Sequence, residues 1–222
     1  MEQNKKIAII LDTETTGLSP YKNEIIELFM IKFSFDKETG QLIEQLDEYS
    51  ALNEPNSRIS SQITQLTGIT NEMVKGHRLD LEEILDFCRE AEYIIAHNAS
   101  FDRSFLIQVL PDLVDRKWHC SMRHVKWKNY GFADMKLNTL LKGHRITNEH
   151  AHRAGSDTLS TLKLLLKTNP DGHTYLRELV NRKPMAPPAA KKPIQNRRNS
   201  VRDWETTAKR EMAASREKGR KN

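Results

Sequence analysis

The sequence predicts an α/β fold, a mixed sheet with helices packed on both of its faces. Three observations predict it. The run from Lys6 to Leu11 is continuously apolar after its lysine and meets an acid at Asp12, the pattern of a central strand buried on two sides. Two further strand-like segments follow before Leu52, joined by short turns. Beyond Pro55, helical periodicity alternates with short apolar runs, the order of an alternating helix and strand layer.

The elements follow in order. Thr16-Gly17-Leu18-Ser19-Pro20 ends the first strand, and Ile25 to Phe35 is long and apolar enough for a second. Thr39-Gly40 is a turn signal, and Gln41 to Leu52 returns as a third strand; three strands with short connections form an antiparallel meander. Ser60 to Leu66 and Asn71 to Lys75 suit short helices. Leu79, Leu81, Ile84, Leu85 and Cys88 recur at the spacing of an amphipathic helix over 80–90. Tyr93 to Ala96 is a short buried strand, Phe101 to Leu110 a helix stopped by Pro111, and Lys117 to Cys120 another strand running into a helix at Ser121. Helices are expected over 134–142, over Ser156 to Thr168 ahead of Asn169-Pro170, and over 173–181. Cys88, Trp118 and Trp127 are expected to pack in the core, and Cys120 to mark a strand end.

A chain of 222 residues, 37% hydrophobic and 29% charged, holds one compact domain with chain to spare. No window approaches the ~20 apolar residues of a membrane span, and the apolar run at the N-terminus is too short for a signal-peptide core. Two cysteines make no disulfide framework, so the expectation is a cytoplasmic protein. The charge is divided unevenly. Residues 182–222 hold 13 Lys/Arg against 4 Asp/Glu, so a net +5 chain is a body of −4 with a tail of +9. The division expected is a compact domain over 1–181, a Pro/Ala-rich basic linker over 182–199 and a basic tail over 200–222. In that tail Val201, Trp204, Ala208 and Met212 fall on one stripe of an amphipathic helix. Such a tail suits a polyanion or a solvated extension equally.

Chemistry concentrates at three stations. Asp12 and Glu14 lie two apart on a strand, so both carboxylates point the same way at its end. There they are costly unless paired, hydrogen-bonded or metal-bound. Asp102, in His97-Asn98-Ala99-Ser100-Phe101-Asp102, falls in the first turn of a helix, where an acid also suits the helix dipole. His97 there reads as a hydrogen-bonded scaffold histidine. Asp157, in His152-Arg153-Ala154-Gly155-Ser156-Asp157, follows His152 by five residues, about 140° around a helix. To act on one site, His152 must precede the helix on a loop, and Gly155 suits a mobile approach. The His150/His152 pair brings too few soft ligands for zinc.

In this order DTETTG at 12–17, HNASFD at 97–102 and HRAGSD at 152–157 resemble the three motifs of the DnaQ-like, or DEDD, exonucleases. The step from His152 to Asp157 matches the histidine branch, DEDDh; the tyrosine branch would have a Tyr where Arg153 stands. The resemblance covers about residues 5–170 and looks closest to exodeoxyribonuclease X and polymerase III epsilon-type members. It implies a ribonuclease H-like fold, three antiparallel strands followed by parallel additions.

The resemblance further implies 3′–5′ exonuclease chemistry on nucleic acid, releasing nucleoside 5′-monophosphates. Two Mg2+ ions, replaceable by Mn2+, would be held by Asp12, Glu14, Asp102 and Asp157, with Asp12 bridging. Glu14 and Asp157 would serve the nucleophile side and Asp102 the leaving-group side, partly through water. His152 would be the general base. Hard, anionic oxygens are the ligands magnesium prefers, and imidazole exchanges protons near neutrality. Thr13, Thr15 and Phe101, beside the acids, are candidates for touching the terminal nucleotide. DNA with a single-stranded or unpaired 3′ end is the favoured partner. The alternatives are an RNA exonuclease resembling oligoribonuclease or ribonuclease T, and a proofreading subunit whose tail binds a replication or repair protein.

Overall fold

The computed structural model describes residues 4–188. Five strands form one sheet in the order β3-β2-β1-β4-β5. β1 (Lys5–Thr15) pairs antiparallel with β2 (Ile25–Asp36), which pairs antiparallel with β3 (Leu42–Leu52). β4 (Tyr93–Ala96) joins the other side of β1 in parallel, and β5 (Lys117–Cys120) joins β4 in parallel. The eight α-helices of the described residues are α1 (Ser61–Thr67), α2 (Asn71–Val74), α3 (Leu81–Cys88), α4 (Ala99–Val109), α5 (Ser121–His124), α6 (Leu137–Gly143), α7 (Ala154–Leu165) and α8 (Tyr175–Val180).

β1 is the central strand, and its alternation assigns the two faces. Ile9 and Leu11 face a core with Ile94, Trp118 and the apolar sides of α3 and α4. Ala8 and Ile10 face a second core with Ile95, Trp127, α7 and α8. Because the side-chain period of a strand is two, Asp12 and Glu14 continue the α7 face and Thr13 the α4 face. Cys88, Cys120, Trp118 and Trp127 are all buried, as packing residues should be.

Local chemistry explains the helix boundaries. Ser60 caps α1 by accepting from the Ile63 N–H, and Gly68 at φ 74 closes it in the left-handed conformation that favours glycine. Asp80 caps α3 by accepting from the N–H groups of Glu82 and Glu83. Two boundaries fall earlier than sequence periodicity indicates. α4 begins at Ala99, which places Asp102 in its first turn, and α7 begins at Ala154, which places Gly155 inside the helix.

The body also extends beyond residue 181, where composition places its end; its compact unit runs to Pro187. The Met185 N–H donates to the Trp118 carbonyl (2.8 Å) on the open edge of β5. The buried Arg103 of α4 donates to the Ala186 carbonyl (2.8 Å), and Met185 packs against the α3/α4 core. An edge strand offers unpaired backbone groups, and here the Met185 backbone N–H meets one of them while its side chain packs on the core. The tail at 200–222, with its proposed helix stripe, lies outside the described residues. Among the described residues no helix is long and apolar enough to cross a membrane.

The β2–β3 turn contains a position only glycine can hold. Gly40 has φ 69, and a Cβ there would stand 2.0 Å from Thr174 Oγ1 and 2.6 Å from the Arg177 backbone nitrogen of α8. Gly40→Ala therefore combines a left-handed backbone penalty with a steric clash and should destabilise the fold by about 2 kcal/mol or more, read from urea unfolding.

Candidate active site

The site forms where β1 leaves the sheet core. Asp12, Glu14 and Asp157 offer carboxylate oxygens that all lie within 4.8 Å of one another, a group able to hold a metal ion. The two faces established above bring this about: Asp12 and Glu14 point toward α7, and Asp157 sits in the first turn of α7.

Asp102 reaches the same region from α4 but is held differently. It is buried, and its Oδ1 accepts from the Thr13 backbone N–H (3.1 Å) and from the Thr13 hydroxyl (2.9 Å). Thr13 thus positions Asp102, with its N–H and its hydroxyl proton both directed at that carboxylate. Thr15 is likewise buried, its hydroxyl donating to the Gly17 carbonyl (2.7 Å). The cause is the same for both: at the end of a sheet their hydroxyls satisfy the chain's own backbone and carboxylate. Phe101 is half-buried, its ring 4.9 Å from that of Phe105. His97 bridges Ser121 Oγ (2.8 Å) and the Met135 carbonyl (2.9 Å), and burial pushes its imidazole down to about 4. It is a scaffold.

The electrostatics record crowding. Burial holds the Asp12 carboxyl well above the usual range, and the charges of Asp102, Glu14, Asp157 and Glu27 push it further. Glu14 is raised to about 8 by burial, then by Asp157 and Glu27. Asp102 is raised to about 7 by burial, against the lowering effect of its Thr13 bonds. Burial raises Asp157 as well, opposed by bonds from Asn148 and from the His152 backbone. Without a cation these groups retain protons that ordinary carboxylates lose near pH 4.

His152 lies on the loop before α7, with its side chain exposed and φ at 64. A non-glycine residue in that region carries about 1–2 kcal/mol of strain. Its N–H donates to Asp157 Oδ2 (3.1 Å), while Asn148 Nδ2 donates to Asp157 Oδ1 (2.5 Å). His150 is exposed on the same loop. Gly155 is no hinge. It lets α7 approach the sheet, since a Cβ there would stand 3.2 Å from the Phe29 ring.

Sequence reasoning missed three residues. Asn148 orients Asp157. Glu27 and Arg153 form an ion pair at 2.6 Å, and Glu27 also accepts from the Ala154 N–H (2.9 Å) that opens α7. The available signal was an acid inside the apolar run Ile25-Ile26-Glu27-Leu28-Phe29.

The chain is similar to known proteins in sequence and in fold. The exonuclease family model (RNase_T) matches residues 9–165. DNA polymerase III PolC-type of Latilactobacillus sakei is 36% identical over 171 residues, 72% of this chain and 11% of that protein. The corresponding polymerase of Streptococcus mutans is 30% identical over 177 residues, 74% of this chain. The chain thus spans about a tenth (11%) of the length of these relatives. Exonuclease X, solved with a 5′ overhanging duplex DNA, has 25% identity and a TM-score of 0.56 over 77% of this chain and 99% of that one. The nuclease domain of 3′hExo, a DEDDh family member bound to rAMP, shares the fold at 19% identity, with a TM-score of 0.61 over 81% of this chain and 98% of that one. The ribonuclease H-like sheet, the carboxylates gathered at the end of its central strand and these matches agree: the chain belongs to the DnaQ-like exonuclease family.

Proposed function

We propose that the protein is a metal-dependent 3′–5′ exonuclease that hydrolyses phosphodiester bonds and releases nucleoside 5′-monophosphates from single-stranded or unpaired DNA ends. The observation that carries this reading is the Asp12–Glu14–Asp157 cluster, with His152 on the adjoining loop. DNA is favoured because the curated relatives are DNA polymerases and Exonuclease X was solved with DNA.

The residues fit divalent metal. The donor set is all carboxylate oxygen, the choice of a hard cation, and burial, with like charge second, holds Asp12 and Glu14 above the usual carboxylate range. Asp12, Glu14 and Asp157 would hold the ions, with Asp102 completing the oxygen set from the α4 side. Two Mg2+ or Mn2+ ions, when bound, would supply an activated water and stabilise the charge of the leaving oxygen. The chain's own residues supply the rest. His152, exposed on its loop, takes the proton of the attacking water and returns it to solvent. The Asn148 and His152 N–H bonds keep both Asp157 oxygens oriented. Phe101 offers an aromatic face for the terminal base.

End-labelled single-stranded DNA, duplex DNA and RNA, run in parallel with Mg2+, test the reading. Shortening of 5′-labelled DNA from its 3′ end, with mononucleotide products, is expected. Faster digestion of RNA would transfer the same chemistry to an RNA exonuclease. Asp12→Asn and Asp157→Asn should abolish turnover while leaving the fold intact. His152→Ala should lower kcat by about 10²–10⁴-fold with metal affinity little changed, and His150→Ala should be mild.

Stability should report the same cluster without turnover. Groups whose folded pKa lies above the unfolded value stabilise the fold below the unfolded value and lose that contribution as pH rises through the folded one. For Glu14 and Asp102 that window runs from the ordinary carboxylate range to about 8 and about 7 respectively. The melting temperature of the metal-free protein should fall from pH 5 toward pH 8, and Mn2+ should raise it more at pH 8 than at pH 5.5. A flat profile with no metal effect would count against the metal site.

The basic tail is proposed to raise nucleic-acid affinity without entering the chemical step. Removing residues 189–222, which preserves the Met185 and Ala186 contacts, should raise KM at low salt, flatten its salt dependence and leave kcat unchanged. An unchanged KM would assign the tail to a replication or repair protein partner, or to solubility.

A further inference from the structure

Among the described residues, Glu27 is the acid acting on the cluster that the proposed chemistry does not use. It stands on β2 directly across from Glu14, and Phe29 stands across from Asp12. Residues two apart on a strand share a face, so Glu27 and Phe29 lie beside the two acids on the side that α7 covers. Both meet the first residues of α7. Gly155 lies against the Phe29 ring. The Arg153 guanidinium spans the Glu27 carboxylate, with Nε 3.1 and 3.2 Å from its two oxygens and Nη2 2.6 Å from Oε1. The second oxygen accepts the Ala154 N–H at 2.9 Å.

Burial makes this contact obligatory for Glu27. Its side chain is 7% exposed, against 39% for Arg153. A carboxylate so buried beside Glu14 requires a cation and donors, and here one arginine fork and one helix N–H provide them. The fork has a fixed planar geometry, so it sets orientation as well as charge. Arg153 lies between His152, whose backbone is in the left-handed region, and Ala154, where the helix begins. Asp157 follows within the first turn.

We propose that Glu27 and Arg153 are positioning residues: they latch the start of α7 to β2, and so hold His152 and Asp157 in register with Asp12 and Glu14. This rests on the exonuclease reading for its kinetic consequence, but not for its structural one. The acids of β1 are carried by the sheet, and Asp157 by a helix that follows the loop of His152. The core holds the middle of α7 against Ala8 and Ile10, but without the latch at its start the placement of His152 and Asp157 drifts while each element stays folded. Displacement of reacting groups by about 1 Å can cost on the order of 100-fold in rate.

The test uses the full chain with Arg153→Gln, Arg153→Lys, Glu27→Gln and the Glu27→Gln/Arg153→Gln double variant. Arg153 is partly exposed, so its variants probe the latch even where a change at the buried Glu27 impairs folding. Glu27→Gln keeps an oxygen for the Ala154 N–H and removes only the charge. Kinetics on single-stranded DNA with Mg2+, at a temperature where unfolding shows each variant native, should give Arg153→Gln a kcat about 10–100-fold lower with KM within threefold. Arg153→Lys, which restores charge but not the fork, should recover part of the loss. The double variant should be no worse than the poorer single one, since both remove one interaction. Two further readouts need no turnover. Amide exchange over 150–158 should accelerate in the variants while exchange in β1 stays unchanged, and Mn2+ should bind more weakly in calorimetry. The proposal is overturned if Arg153→Gln leaves kcat and the exchange of 150–158 at wild-type values, or if the single effects add. An inactive wild-type protein would overturn the exonuclease reading alone, with exchange and Mn2+ affinity still deciding the latch.

Discussion

Negative charge gathered at the end of a buried strand is the constraint around which this molecule is arranged. Asp12, Glu14, Asp102 and Asp157 crowd together in surroundings that solvate them poorly, so burial raises each of them, and neighbouring charge adds to the rise at Asp12, Glu14 and Asp157. A fold bears that cost only where rigid neighbours hold the groups in place and directed donors answer part of the charge. Thr13 donates twice to Asp102, Asn148 and the His152 backbone donate to Asp157, and Arg153 lowers Glu14 while pairing with Glu27. None of these donors neutralises the Asp12–Glu14–Asp157 cluster, a set of oxygens able to hold a metal ion.

The sheet meets the constraint by dividing the acids between its faces. Alternation along β1 sends Asp12 and Glu14 toward α7 and Thr13 toward α4, so carboxylates arrive at the strand end from both layers. Each layer is anchored by its own core, with Ile9 and Leu11 on one side and Ala8 and Ile10 on the other. Placement of the acids therefore depends on packing far more than on their mutual contacts, and substitution of one acid is expected to relieve repulsion in a scaffold that stands without it. His152 is the exception. It lies on a loop, in a strained backbone conformation, and is held by bonds at its own N–H and by the residue that follows it.

The C-terminal segment shows how an edge is managed. β5 ends the sheet, and its exposed backbone is met by Met185, with Arg103 of α4 securing the next residue. Arg103 is adjacent in sequence to Asp102, so the helix that carries one site acid also fastens the end of the body.

Much of this was legible in the amino-acid sequence. The central strand, the meander and the alternating layer follow from periodicity, because burial on one or two faces imposes a repeat that local sequence must display. The acids at 12, 14, 102 and 157 and the loop position of His152 follow from motif spacing. The sequence could not disclose the partner of each polar group. That Thr13 serves Asp102, that Gly155 accommodates Phe29 and that Glu27 meets Arg153 all depend on pairs about 90 to 130 residues apart in the chain. Composition at 182–188 likewise reads as linker, because a Pro/Ala-rich stretch carries no signal of the strand edge it will cover. Local sequence encodes which face a residue presents; only the closed tertiary structure decides which distant group meets it there.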